Sequence, residues 1–297
     1  MDNSLTQVFF PGTFQDLFST WSRLDSGEES KKPLLYAGGI EFNREQGKRT
    51  ITVPENIISL ERMRELHKIT RSERYLEIGA MVKLNQIIHL GKIVPEALHR
   101  CLLDIADPQI RNLATIGGNI CNPKRRLGAS APMIALDAQY ELRTAQSSRW
   151  ISASRFSSVH GPLALEPQEI LTRIRVPLEP WTFTWYRKFR TPGSNELGGG
   201  ILFIVKIQKN ILSDIRVIYS GRMVLRERSA ETMLAGKLLP LDKKETKAFV
   251  EKWKAYLSGF DGMEIAVFPG ENGFFHPELA KSQILNFIDA TLMHISD

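Results

Sequence analysis

Four residues within a five-residue stretch combine side-chain polarity with backbone freedom: Thr115, Gly117, Gly118 and Asn119. Adjacent glycines can adopt positive φ and bring backbone N–H groups close to a ligand, because no Cβ stands in the way. Successive N–H groups in such a turn form a concave anion site, to which a hydroxyl and a carboxamide add hydrogen bonds. The spacing therefore indicates a seat for a diphosphate. An ordinary tight turn between two buried segments is the alternative interpretation of the same residues.

A second glycine pair, Gly38-Gly39, follows the apolar run 33–36 and predicts a strand that ends in a glycine turn. Neither pair has the glycine spacing of the G-x-G-x-x-G fingerprint or of a phosphate-binding P-loop. Two such turns, brought together from distant parts of the chain, could hold one extended and doubly charged ligand from both sides.

The elements around the first turn predict a strand–helix–strand unit over residues 6–36. Residues 7–10 are a short apolar run, Thr13 is a candidate cap for a helix over 15–21, and residues 34–36 form the second strand. Ligands of such units usually lie at the carboxyl ends of the strands, where the first glycine turn is. Residues 43–49 are polar and predict a loop.

The elements around the second turn begin with a helix over 95–106, which Pro108 should stop just before the turn. Strands are predicted over 75–80, 139–143 and 170–177, and prolines mark a junction near residue 178. Beyond the junction, three runs predict an antiparallel three-stranded meander. They cover 183–189, 201–209 and 214–219, and helices over 244–257 and 279–294 follow.

The composition of the 297 residues, 42% apolar and 24% charged, is typical of a soluble globular protein. The sequence shows no bilayer-spanning run and no secretion signal, so we expect a cytoplasmic protein. The net charge of +6 is spread along the chain, which argues against nucleic-acid binding. Its one tight basic cluster, Lys124-Arg125-Arg126, is either a solvated loop or a counterweight to a ligand's phosphates.

Cys101 and Cys121 are the two cysteines, too few to hold an iron–sulfur cluster or a structural zinc ion without several other ligands nearby. The six histidines form no metal-binding spacing. We therefore expect two plain buried thiols, and any redox metal would belong to a partner chain.

Taken in order, several segments resemble the FAD-binding (medium) subunit of molybdenum hydroxylases, the xanthine dehydrogenase and carbon monoxide dehydrogenase family. The most specific segment is I-R-N-L-A-T-I-G-G-N-I at 110–120. The others are A-G-G at 37–39, Y-L-E-I-G-A at 75–80 and E-I-L at 169–171, and the likeness extends over nearly the whole chain.

The resemblance implies an α+β fold of the vanillyl-alcohol-oxidase type, with FAD between two subdomains at 1–55 and 56–178. A C-terminal flavoprotein domain with a three-stranded antiparallel sheet and helices would occupy 179–297. It also implies a task in electron transfer. A molybdenum-cofactor subunit would oxidise the substrate, a [2Fe–2S] subunit would pass on the electrons, and FAD would deliver them to NAD or another acceptor.

The resemblance also assigns candidate flavin contacts. Backbone N–H groups of the first loop would bind the diphosphate, from Ala37, Gly38, Gly39, Ile40 and Glu41. The second loop would do so from Ala114, Thr115, Gly118 and Asn119. Ile105 would lie beside the isoalloxazine, Leu171 would pack against the ring system, and Lys188 would lie near its polar edge, unless it is an ordinary surface lysine.

Two departures from the family pattern fall in the binding loops. Ile40 replaces a threonine, and Gly128 replaces an aspartate that helps to hold the flavin. The glycine run 198–200 is also unusual. These departures leave two alternatives open: a flavin-free structural or assembly subunit with the same fold, and a flavin reductase or oxidase that acts without partners.

Overall fold

The first part of the chain forms a three-stranded parallel sheet with two helices. A computed structural model describes residues 5–25, 27, 32–46, 53–122, 126, 128–157, 162–190, 197–261, 265 and 277–296. The first elements are β1 (Gln7–Phe9), α1 (Phe14–Leu24), β2 (Leu34–Tyr36), α2 (Ile40–Gln46) and β3 (Asn56–Ser59). The predicted strand–helix–strand unit is confirmed, and β3 lies between β1 and β2 and is parallel to both. Thr13 caps α1, since its Oγ1 accepts from the Asp16 N–H at 3.1 Å.

The predicted polar loop over 43–49 is wrong for residues 43–46, which belong to α2, while 47–49 lie outside the described residues. Gly39 has φ of 71°, and its carbonyl accepts from the Asn43 N–H at 2.9 Å in the first turn of the helix. Residues 43–46 therefore continue the helix that begins at Ile40. Composition alone does not separate such a helix from a loop.

The middle part is a five-stranded antiparallel sheet whose strands run in the order β4-β5-β8-β6-β7. Its strands are β4 (Ile69–Arg71), β5 (Tyr75–Gly79), β6 (Gln139–Arg143), β7 (Ser148–Ser152) and β8 (Ile170–Pro177). Its helices are α3 (Leu84–His89), α4 (Glu96–Leu103), α5 (Pro108–Leu113), α6 (Ile116–Ile120), α7 (Ser130–Ala135) and α8 (Ala153–Phe156). Short 3-10 helices cover Arg64–His67 and Gly91–Ile93.

The path between α4 and α6 differs from the prediction. The helix predicted to reach residue 106 ends at Leu103, and Ala106 has a left-handed φ of 48°. Pro108 does not stop a helix but begins α5, where its missing N–H costs nothing. Asp107 caps that helix by accepting from the Ile110 N–H at 2.8 Å. The predicted glycine turn is the one-turn helix α6, capped by Thr115.

The last part contains a second antiparallel sheet. Its strands are β9 (Phe183–Arg190), β10 (Leu197–Gln208), β11 (Ile211–Ser220), β12 (Val224–Leu225) and β13 (Lys237–Leu238). The prediction of three strands is wrong, because two short strands pair with β11 and bring the sheet to five in the described ranges. The helices are α9 (Arg228–Leu234), α10 (Lys243–Leu257) and α11 (Pro277–Ser296).

The unusual glycines of β10 make room for two tyrosine rings. A Cβ on Gly199 would overlap the hydroxyl of Tyr219, and one on Gly200 would lie 2.9 Å from the Cε2 of Tyr186. Each of these glycines therefore accommodates a large side chain from a neighbouring strand.

Three apolar cores hold the elements together. The first packs α1 against β3 through Leu17 and Ile58. The second fills the middle part and takes in Leu202 from one face of β10, whereas Phe203, on the opposite face, belongs to the third core with α10 and α11. Because side chains alternate along a strand, the last sheet packs on the middle part with one face and on its own helices with the other. None of the helices in the described ranges is both long and apolar enough to cross a bilayer.

Candidate cofactor-binding site

The two glycine loops are in contact. A Cβ on Gly38 would overlap the carbonyl oxygen of Leu113 and would lie 3.2 Å from the Cα of Ala114. The Cβ of Ala37 lies 4.0 Å from the position that a Cβ on Gly118 would take. Residues some 75 positions apart in sequence therefore form one junction, at which only the smallest side chains fit.

The first loop presents backbone donors at this junction. No acceptor among the described residues takes a hydrogen bond from the N–H groups of Gly38 or Gly39. Positive φ at Gly39 turns the chain directly into α2, and a Cβ there would overlap the ring of Tyr36. Ile40 and Glu41 form the first turn of α2, and both are half-buried. The loop thus presents two backbone N–H groups without acceptors in the described part of the chain, which suits an anion.

The second loop uses most of its predicted donors to hold its own shape. The N–H of Gly118 donates to Thr115 Oγ1 at 3.1 Å, and the N–H of Asn119 donates to the Thr115 carbonyl at 3.0 Å. The N–H of Ala114 donates to the Ile110 carbonyl at 2.8 Å. The N–H of Thr115 has no acceptor in the described part of the chain. Among these four residues, Thr115 is therefore the one whose backbone N–H is left without an acceptor in the described part of the chain, and the residue itself is buried.

A lysine and two backbone hydrogen bonds anchor the second loop to α3. Lys83 Nζ donates to the Leu113 carbonyl at 3.1 Å. The Leu84 N–H donates to the Ala114 carbonyl, and the Ile116 N–H to the Val82 carbonyl, both at 3.0 Å. Burial lowers the pKa of the Lys83 ammonium, although the nearby Glu61 carboxylate opposes that shift. The loop is consequently held as a rigid edge.

The side chain of Asn119 is buried and accepts a hydrogen bond from within the protein. Its Oδ1 accepts from the N–H of Ala129 at 3.2 Å, which ties α6 to the segment before α7. That segment includes Gly128, where a Cβ would lie 2.7 Å from Cγ1 of Ile105. The site of the missing aspartate is thus adjacent to the residue predicted to lie beside the isoalloxazine.

Lys188 reaches the turn before α5 from the last sheet. On β9, it donates from Nζ to the carbonyl of Asp104, next to Ile105. Leu171, on β8, is 5% exposed and lies in the core of the middle part, opposite Leu142 in the sheet. The structure therefore places nine of the predicted residues at the glycine junction, Ile105 and Lys188 at the turn, and Leu171 in the core.

Arg111 is a residue of this region to which the sequence analysis gave no role. It is 9% exposed, and its Nη1 donates to the carbonyls of Leu103, Ile105 and Ala106 at 2.9, 3.1 and 2.7 Å. The available signal was its position inside a stretch that is otherwise apolar and small. A charge there must be paired or hydrogen-bonded.

Other predicted features lie apart from the junction or outside the described ranges. Lys124 and Arg125 are outside them, whereas Arg126 is buried and donates from Nη1 to the Asn122 carbonyl at 3.1 Å. A cleft of about 560 Å³ lies elsewhere, beside Trp181, and none of the twelve predicted residues lines it.

Both cysteines are free; Cys101 is buried, as predicted, whereas Cys121 is only partly buried, although burial of its thiol raises its pKa to about 12. Within the described ranges, no group of three or more histidine, cysteine, aspartate or glutamate side chains could hold a metal ion. The thiols thus behave as small apolar side chains.

Comparison with known sequences identifies the family. The sequence profile described as the FAD binding domain in molybdopterin dehydrogenase matches residues 4–179. The chain belongs to this family. The resemblance seen in the sequence is confirmed, and the chain is an FAD-binding subunit of the molybdopterin dehydrogenase class of oxidoreductases, similar to those of xanthine and carbon monoxide dehydrogenases.

Individual relatives agree with this assignment. The glyceraldehyde dehydrogenase medium chain of Sulfolobus acidocaldarius is 28% identical over 199 residues, which are 66% of this chain and 69% of that protein. A putative xanthine dehydrogenase FAD-binding subunit of Escherichia coli K12 is 33% identical over 129 residues, which are 42% of this chain but only 44% of that protein. In the solved structure of carbon monoxide dehydrogenase from Hydrogenophaga pseudoflava, one chain is similar with a TM-score of 0.79. That match is 23% identical in sequence and covers 100% of this chain and 98% of that one, which establishes the same fold.

The junction fits the diphosphate of FAD. Three backbone donors, from Gly38, Gly39 and Thr115, lack acceptors in the described part of the chain. The absence of a side chain at Gly38 lets the two loops approach each other, and Gly118 is exposed to solvent. An anion held by backbone N–H groups in this way needs no positively charged side chain.

Proposed function

We propose that this chain is the electron-transfer subunit of a molybdenum hydroxylase complex. When bound, FAD would supply the redox chemistry that links a [2Fe–2S] partner subunit to NAD or another electron acceptor. The observation that carries the proposal is the contact between the two glycine loops, with backbone donors left over at the contact. Several unpaired backbone N–H groups at one junction can together bind an anion such as a diphosphate.

The residues of the junction bind the diphosphate in this proposal. Gly38, Gly39 and Thr115 donate from their backbone N–H groups, while Ala37 and Gly118 keep side chains out of the path of the ligand. Ile40 and Glu41 shape the approach from α2. Ala114 and Asn119 hold the second loop in place through the hydrogen bonds described above, which is an indirect contribution to binding.

The remaining predicted residues, Ile105, Leu171 and Lys188, contact the flavin ring system in this proposal. Ile105 and Leu171 offer apolar surface, and exclusion of water strengthens electrostatic interactions around the flavin. Lys188 brings a positive charge, which favours the reduced, more negative flavin by Coulomb attraction. In this arrangement the flavin lies between a subdomain at 1–55 and a second one at 56–178, as in the vanillyl-alcohol-oxidase type of fold. Residues 179–297 contribute Lys188 from β9.

Partner subunits complete the proposed pathway. The Sulfolobus relative is named a medium chain, which implies further chains in its complex. We propose that here, too, one partner carries the molybdenum cofactor and another the [2Fe–2S] cluster. The two cysteines of this chain are too few to hold such a cluster, which supports a cluster on another subunit.

Titration of the purified full chain with FAD tests the proposal, with protein and flavin fluorescence as the signal and riboflavin as the matched ligand without phosphates. We expect saturable binding of FAD, and binding of riboflavin that is weaker by at least about tenfold, or 1.4 kcal/mol. A chain that binds no flavin yet assembles with its partner subunits would instead support the structural-subunit alternative. Steady oxidation of reduced nicotinamide by the chain alone would support the self-contained reductase.

A further inference from the structure

The guanidinium of Arg111 gathers the carbonyls of the turn between α4 and α5. Its Nη1 lies 2.9, 3.1 and 2.7 Å from the carbonyl oxygens of Leu103, Ile105 and Ala106. Its Nε donates to Asn85 Oδ1, on α3, at 3.2 Å. Hydrogen bonds from a charged donor are stronger than neutral ones, so one side chain holds the whole turn.

The turn needs such support. The last carbonyls of a helix have no partners within the helix, and α4 ends at Leu103. Ala106 has φ of 48°, a left-handed conformation that an alanine rarely adopts unless the surrounding structure imposes it. Arg111 donates to the carbonyl of Leu103, the last residue of α4, and to two carbonyls of the turn beyond it, and it therefore stabilises a backbone that local sequence does not favour.

Asn85, which accepts from Nε of Arg111, is itself held by two further hydrogen bonds. Asn85 Nδ2 donates to Asn112 Oδ1 at 2.6 Å and to the Pro108 carbonyl at 3.3 Å. Arg111 and Asn85 thus connect α3, α5 and the turn in one network. A guanidinium with donors on separate nitrogens can reach both Asn85 and the turn, which the single ammonium of a lysine cannot do.

The turn carries contacts that matter for the flavin. Ile105 is half-buried and lies against Gly128, and the carbonyl of Asp104 accepts from Lys188. A displacement of the turn would therefore move Ile105 directly and release Lys188 from its acceptor. Ile105 and Lys188 are thus the two predicted flavin contacts whose positions depend on the turn.

We propose that Arg111, braced by Asn85, is a positioning residue that places Ile105 and Lys188 against the flavin ring. The inference rests on the proposed function, because it assumes that the ring lies beside these two side chains. Arg111 acts through the turn, to which its Nη1 donates, and it is not itself a contact of the cofactor.

Arg111→Lys in the full chain tests the proposal, with Arg226→Lys as the matched control. Arg226 is also largely buried, but its Nε donates to the carboxylate of Glu231 at 2.9 and 3.0 Å in the last part of the chain. Three quantities are measured: amide hydrogen exchange at 104–106 without flavin, the Kd for FAD, and the visible circular dichroism of bound FAD. Asn85→Ala, which leaves Arg111 in place, provides the same readouts if Arg111→Lys does not fold.

We expect Arg111→Lys to speed exchange at 104–106 and to raise the Kd for FAD, each by about tenfold. It should also change the flavin dichroism, which reports the surroundings of the ring. Arg226→Lys should lower the melting temperature without these three effects. Faster exchange with an unchanged Kd and dichroism would reduce Arg111 to a purely structural residue, and unchanged exchange would overturn the assignment altogether. A wild-type chain that binds no FAD would instead remove the proposed function, and with it the role toward the ring.

Discussion

Cγ1 of Ile105 lies 2.7 Å from the position that a Cβ on Gly128 would occupy. Real side chains do not approach so closely, so the isoleucine at one position and the glycine at the other depend on each other. The aspartate found at the corresponding place in the family pattern would not fit beside Ile105 unless the turn moved. Gly128, one of the two departures from the family pattern, is therefore explained by its close packing against Ile105.

Because Gly128 and Ile105 compete for the same space, the effects of substituting them on the free energy of unfolding should not be additive. Gly128→Ala should lower the free energy of unfolding by about 1–3 kcal/mol, as overpacking does, and Ile105→Ala should lower it through lost burial. The double variant should lose less than the sum, because the shortened side chain at 105 no longer meets the new Cβ. Urea denaturation of the four proteins measures the coupling. Strict additivity would show that the two residues do not compete for space.

The loop junction predicts a large difference between two glycine substitutions. Gly38→Ala places a Cβ on the carbonyl of Leu113, which is backbone and cannot turn away. The loops must then separate, and we expect the Kd for FAD to rise by about tenfold to a hundredfold. Gly12→Ala is the control, since nothing lies within 4 Å of its Cβ position. Equal affinity of the two variants for FAD, measured by titration, would argue against the junction as the binding site.

A buried carboxylate at the start of β8 predicts a specific pH dependence. Glu169 is 5% exposed and accepts from Arg149 Nε and Nη2 at 2.7 and 2.8 Å. The Arg149 guanidinium holds the pKa of Glu169 below its ordinary value of 4.5, against the opposing effect of burial. The carboxylate therefore contributes its full stabilisation above about pH 4.5, and the contribution is lost as the pH falls through the lowered folded-state pKa.

Glu169→Gln tests this expectation. At pH 7 the variant should lose about 2 kcal/mol of unfolding free energy, as is usual for hydrogen bonds to a charged group. The difference from wild type should shrink as the pH falls from about 4.5 through the lowered folded-state pKa, because Glu169 of the unfolded chain takes up its proton first. Glu166→Gln is the control, because that side chain is 63% exposed and 3.4 Å from Arg149. A gap between wild type and Glu169→Gln that stays constant down to low pH would contradict the assignment.

Replacement of Lys188 should change the redox potential of bound FAD rather than the stability of the fold. Lys188→Met removes a charge while it keeps the length of the side chain, so the reduced flavin loses a favourable interaction. We expect the two-electron potential of bound FAD to fall by about 30 mV, which corresponds to about 1.4 kcal/mol. Lys206→Met, on the neighbouring strand β10, removes a lysine that pairs with Glu179 and should leave the potential unchanged. A spectroelectrochemical titration compares the variants.

Local sequence determined much of the first part and the shape of the second loop. Thr13 and Thr115 each cap the helix that follows them, because a hydroxyl three residues before a free N–H is enough to start a helix. The patterns of apolar residues placed β5, β6 and β8 correctly, since burial on a sheet requires them. The family motif at 110–120 identified the cofactor, because its small residues and hydroxyl lie at fixed spacing within one segment.

Tertiary structure decided which segments that are distant in sequence contact one another, and how those contacts shape the backbone. The end of α4 at Leu103, the left-handed Ala106 and the role of Arg111 all depend on contacts between the turn and α3, which no local pattern contains. The pairing of Gly38 with Leu113, and of Gly128 with Ile105, is likewise invisible in sequence, because distant backbone and side chains compete for one small volume. The sequence by itself determined which residues could bind a dinucleotide. The packing of distant segments decided which N–H groups remain free to bind it.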